Sequence, residues 1–67
     1  MNTKKANYQI VEINNGWFHV LGPKGQKTRI VIVPEGKAWY VYVRGQQQAI
    51  KDSWEEAENF AASLLLV

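Results

Sequence analysis

Residues 38–65 read AWYVYVRGQQQAIKDSWEEAENFAASLL: an aromatic and β-branched run, a glycine turn, a second short run and a helix start, with no gap between them. Trp39, Tyr40, Val41, Tyr42 and Val43 predict a strand over Ala38–Arg44, because such side chains fit a pleated, half-buried surface. Gly45-Gln46 predicts a reversal and Gln47–Lys51 the returning strand. Ser53 then stands three residues before Glu56, the spacing at which a hydroxyl and a carboxylate satisfy orphan amides of a helix start. Behind that cap, Trp54, Ala57, Phe60, Ala61, Leu64 and Leu65 recur at helical spacing and form one apolar stripe. A hairpin with one apolar face and a helix with one apolar stripe each cover what the other must hide. Leu66 and Val67 fall off the stripe and are expected to fray or to meet a partner.

Upstream the same grammar repeats. Turn signals at Asn15-Gly16, Gly22-Pro23-Lys24-Gly25 and Pro34-Glu35-Gly36 separate the runs Tyr8–Ile13, Trp17–Leu21 and Thr28–Val33. The expected fold is therefore α+β: a five-stranded antiparallel β-meander with one C-terminal amphipathic helix packed on one face. Register follows from keeping apolar residues together, since a slip of one residue turns a whole strand over. A two-residue Asn15-Gly16 loop sets Val11 opposite Val20 and Ile13 opposite Phe18. Gly22 opposite Thr28 sets Val20 against Ile30 and Phe18 against Ile32. A Glu35-Gly36 loop sets Ile32 against Trp39 and Ile30 against Val41, and the last hairpin sets Ile50 against Val41. On this reading Val11, Ile13 and Ile50 join Phe18, Val20, Ile30, Ile32, Trp39, Val41 and Val43 in the core.

With 67 residues there is room for one core, so the chain is read as a single domain over 1–67 with a flexible N-terminus at 1–7. A composition 46% hydrophobic and 21% charged, with three Trp, three Tyr and two Phe, is that of a globular chain. No cysteine is present, which excludes disulfides, thiol chemistry and cysteine-based zinc sites and suggests a reducing, cytoplasmic setting. The apolar run Leu64–Val67 is far short of a membrane span, and no signal-peptide pattern follows Lys4 and Lys5, so neither membrane nor export is expected. Charge is lopsided: residues 1–51 hold all eight Lys and Arg against Glu12 and Glu35, whereas Asp52, Glu55, Glu56 and Glu58 cluster at the helix start. The acids suit the helix dipole, and they leave the sheet electropositive.

Side chains of the other parity share the face that the helix leaves open. Trp17, His19 and Leu21 come from one strand, Arg29, Val31 and Val33 from the next, and Tyr40, Tyr42, Arg44 and Lys51 from the last hairpin. Open antiparallel faces are normally polar, so an exposed aromatic and aliphatic patch marks a binding surface. The expected registers place Arg29 beside Tyr42 and Lys51 near Tyr40, alternating cations with rings that can stack bases. Two structural alternatives are a barrel that buries these residues and a dimer that pairs the face with itself.

Other motifs yield no chemistry. Gly22-Pro23-Lys24-Gly25-Gln26-Lys27-Thr28 looks like a phosphate loop, but Gln26 stands where glycine is needed and a strand follows instead of a helix. His19 is the only histidine and is expected to face Glu12 across the first hairpin as a polar pair. No metal site, cofactor, small-molecule substrate or catalytic residue is expected, because no second histidine and no facing carboxylate pair is evident.

Residues 38–61, strand, tight turn, strand and Ser-x-x-Glu-Ala helix, resemble the β-sheet arm-type DNA-binding domains of phage integrases and small phage-like meander-plus-helix proteins. The resemblance implies DNA contact through Tyr40, Tyr42 and Arg44 with Arg29 on the neighbouring strand. Gln46, Gln47 and Gln48 stand where that pattern carries a basic run. The chain is thus expected to be a non-enzymatic module that binds DNA through Trp17, Arg29, Tyr40, Tyr42, Arg44 and Lys51. The alternative is a small protein-interaction or inhibitor domain, phage-derived, that uses the same face for a protein partner or a homodimer.

Overall fold

A computed structural model describes residues 3–14 and 16–65. Six antiparallel strands follow one another in space as in sequence: β1 (Thr3–Lys4), β2 (Gln9–Asn14), β3 (Trp17–Leu21), β4 (Lys27–Glu35), β5 (Ala38–Val43) and β6 (Gln46–Lys51). Helix α1 (Trp54–Leu64) completes the fold. The expected five-stranded meander with a helix on one face is present, and the sheet ends in two edges instead of closing into a barrel. It is extended at its start by the two-residue β1, which pairs Thr3 with Ile10 and Lys4 with Gln9 inside the segment expected to be flexible. Asn15, half of the first expected turn, and the frayed end expected at Leu66 and Val67 lie outside the described residues.

The hydroxyl half of the expected cap forms: the Glu56 amide donates to Ser53 Oγ at 3.2 Å, and Glu55 and Glu56 occupy the first turn. Ala57 and Ala61 are wholly buried, so the helix backbone approaches the sheet closely. Trp54 anchors the helix start by edge contacts with Phe18, centroids 4.8 Å apart, and with Trp39, 5.1 Å apart. Aromatic pairs of this geometry add about 0.5–1.5 kcal/mol beyond the area they bury. Ile10, Val20, Ile32 and Val41 are the largest side chains fully sealed beneath.

The β3–β4 register holds from Phe18 to Val20 as expected, but a bulge then sets Leu21 opposite Lys27, and Gly22, expected opposite Thr28, donates to Gln26 O in the loop. Three further registers differ from expectation, each for a physical reason. In β2 a bulge at Ile13 sets Glu12 opposite Phe18, Val11 opposite His19 and Ile10 opposite Val20. Ile10 therefore enters the core, while Val11 leaves it and Ile13 is half exposed. The bulged register also turns Tyr8 toward the core, where its hydroxyl donates to Glu58 on the helix; the unbulged one would lose that ring and that bond. Between β4 and β5 the loop is Gly36-Lys37, so Ile32 meets Val41 and Ile30 meets Val43. This is a shift of two, which preserves every face.

The last hairpin turns at Arg44-Gly45, not Gly45-Gln46, with Arg44 at φ 55° and Gly45 at φ 78°. Both central residues left-handed is the type I′ requirement, and its twist matches that of the flanking strands. A bulge at Gln48 then returns Ala49 to the inside opposite Val41 and leaves Ile50 outside opposite Tyr40. Ala49 is small enough for the helix to sit close over β6, which Ile50 at the same place would prevent.

Candidate functional site

On the uncovered face, β4 supplies the floor. Its neighbours Ile30 and Ile32 point into the helix-covered core, so Val31 and Val33 point the other way. β3 brings Trp17 alongside Val33 and His19 alongside Val31, and β5 brings Tyr40 and Tyr42 to the same two valines from the opposite side. The result is a depression of about 350 Å3 lined by Trp17, Val31, Val33, Tyr42 and Gly45. Val33 is only 7% exposed although no helix covers it, whereas Trp17 is 49% and Ile50 51% exposed. The rings thus shield the floor and present their own apolar surface to solvent.

Tyr40 and Tyr42 stand nearly parallel, 20° between planes and 6.4 Å between centroids, as residues two apart on one strand do when both lean the same way. His19 is fixed in the sheet: its Nε2 donates to the Thr28 carbonyl oxygen at 2.7 Å, which assigns the proton to that nitrogen. Thr28 in turn donates its hydroxyl to Val20 O and accepts from the Ile30 amide, replacing ladder bonds where β4 bulges opposite Leu21.

The expected site residues divide. Trp17, Tyr40 and Tyr42 are brought together as expected. Arg29 is exposed, but it neighbours Arg44 and not Tyr42: the Arg44 amide donates to Arg29 O at 3.1 Å. Arg44 sits in the turn beyond the strand end instead of on the hairpin face. Lys51 leaves the site altogether. It pairs with Trp39 on the helix side, and its Nζ lies 5.1 Å from the Phe60 ring centroid, so the bulge at Gln48 has turned it over. His19 faces Val11, not Glu12, whose carboxylate accepts from the Gly16 amide at 3.2 Å.

In place of Lys51 the open face gains Val11 and Ile50, which the sequence pattern alone puts inside. The Arg44-Gly45 turn sets Tyr42 against Gln47, and it is the bulge at Gln48, for which the sequence carries no local signal, that then turns Ile50 outward. The corrected face is more apolar and less basic than expected. Comparison with protein-family models, with curated proteins and with solved structures finds no match to this chain.

The remaining candidates are occupied or bare. The Gly22–Gln26 loop spends its amides internally: Gly22 donates to Gln26 O, Gly25 to Gly22 O and Lys24 to Gln26 Oε1. Among the described residues no group of three or more His, Cys, Asp and Glu is placed to hold a metal, and no helix is long and apolar enough to cross a membrane.

Proposed function

We propose that the chain is a non-enzymatic docking module whose uncovered sheet face binds protein. The observation that carries this reading is the exposed apolar cluster on that face, Trp17 and Ile50 at half exposure around a floor of Val31 and Val33, with the adjacent Arg29 and Arg44 at one end of it. A face of this kind is what a partner's apolar surface covers, and aromatic anchors supply most of the energy of such interfaces.

A photo-crosslinking residue in place of Tyr42, in cells that express the chain, tests it. The expected result is adducts to polypeptide at position 42 and none from the same residue at Glu55 on the exposed side of the helix. Adducts to nucleic acid alone, or none at position 42, would overturn the reading.

A second reading has its own observation: the adjacent Arg29 and Arg44 lie at one end of the parallel tyrosine pair. Two arginines beside two rings suit a phosphate followed by stacked bases. Under that reading a labelled duplex or single strand binds with a log-log salt slope of about two, one unit per arginine, and Arg29→Ala removes about half of it.

A further inference from the structure

We infer that the occupant of the open face is a second copy of this chain, laid sheet to sheet with the two β4 strands antiparallel. This rests on the docking reading above and specifies its partner.

The uncovered side of β4 carries, in order, Arg29, Val31, Val33 and Glu35. Arg29 and Glu35 are both exposed and lie equally far, three residues, either side of Ile32. A two-fold axis in the plane of the interface, perpendicular to β4 at Ile32, therefore superposes unlike groups. Arg29 meets Glu35 of the second copy, Val31 meets Val33 of the second copy, and each relation is repeated by symmetry, as an isologous interface requires. An axis parallel to β4 would instead put arginine on arginine and glutamate on glutamate. Charge selects the antiparallel arrangement.

Stacked sheets cross at about 30°. At about 3.3 Å per residue Arg29 and Glu35 stand about 10 Å from the axis, so the crossing displaces them by only about 5 Å, within reach of an arginine side chain. The tyrosines follow the same operation: Tyr40 is level with Val33 and Tyr42 with Val31, so Tyr40 comes over Tyr42 of the second copy. Lys27 and Lys37 lie farther out at the two strand ends, in solvent, where screening weakens their effect. The larger extents of the molecule, 31 and 24 Å, bound a face on the scale of the about 800 Å2 per partner buried in a standard interface.

Sedimentation equilibrium of the whole chain tests the arrangement. The wild type is expected to be a dimer, and Arg29→Glu and Glu35→Arg are each expected to weaken self-association at least about tenfold, because each sets like charges opposite one another. Mixed together, the two single variants pair with each other, since the two acids of the Arg29→Glu copy then meet the two arginines of the Glu35→Arg copy, one contact reversed and the other native; the double variant again pairs with itself. Circular dichroism of each variant checks that these exposed substitutions leave the fold intact.

A monomeric wild type overturns the inference, and so does a dimer that neither single reversal weakens or whose single variants do not rescue each other. If the wild type is monomeric while position 42 still crosslinks to another polypeptide, the second copy is wrong and the docking reading stands. If position 42 gives no polypeptide adduct at all, both are wrong.

Discussion

Tyr8 ties the first long strand to the helix through its hydroxyl, which donates to Glu58 fifty residues away. Burial, then the hydrogen bond, then the negative charge of Glu58 push the phenol up from 10.0 to about 12. A group whose pKa is raised by folding contributes its full stability below its unfolded value and loses it as pH climbs through the folded one. Wild-type stability is therefore expected to fall between about pH 10 and pH 12, and Tyr8→Phe to remove that portion of the fall at a cost of about 1 kcal/mol at neutral pH, modest because the ring is partly exposed. Urea unfolding at several pH values measures both. Arg44 invites the opposite change. It is the only described non-glycine residue at positive φ, a conformation that costs a side chain about 1 kcal/mol and that asparagine tolerates better. Arg44→Asn is expected to raise the unfolding midpoint, stabilising the domain by about 0.5–1 kcal/mol; an unchanged or lower midpoint would show that the guanidinium makes compensating interactions. Neither residue is legible from the sequence in these roles. Tyr8 needs a partner fifty positions away, and the alternation of its neighbours places Arg44 on a strand.

At the scale of single elements, α1 is legible down to its cap because everything that decides a helix lies within a few residues of it: Ser53, Glu56 and the recurring apolar positions. Strands β3, β4 and β5 are likewise recovered with the right faces, even though the β4–β5 loop moved, because a shift of two keeps parity. The bulged strands β2 and β6 are turned over relative to expectation. Each has apolar residues of both parities, Ile10 and Tyr8 against Val11 and Ile13, and Ala49 against Ile50, so local pattern leaves both registers open and the choice falls to what packs across from them. The β2 register makes a sharp expectation. Ile10→Ala should cost about 2–4 kcal/mol, the loss typical of a sealed side chain, whereas Ile13→Ala at a half-exposed bulge should cost under about 0.5 kcal/mol. Paired thermal melts of the two variants decide it, and equal losses would restore the unbulged register.

For the molecule as a whole, one covered face must do the work of a core, since among the described residues the strands form a single layer and the helix is its only lid. A chain ending at Asp52 keeps every strand but uncovers Ile32, Val41 and their neighbours; it is expected to show no cooperative thermal transition by circular dichroism, and a folded truncated sheet would contradict a core that depends on the helix. The candidate site is a consequence of the same layering. Hiding one side of an apolar meander behind a helix leaves Trp17, Tyr40, Tyr42, Val31 and Val33 on the other, and that much followed from the period of two in the sequence. By itself the sequence determined the α+β class, the order of strands, the capped helix and the aromatic character of the uncovered face, because each depends on spacing within a dozen residues. Only the tertiary structure decided that Lys51 lies under the helix, that Arg29 neighbours Arg44 and that Val11 and Ile50 replace cations on the open side. The Arg29–Arg44 pairing follows from the shift of two at the Gly36-Lys37 loop; the other outcomes turn on two bulges, and a bulge is chosen by which side chain the close-packed helix can accommodate, a comparison that exists only once the layers are in place.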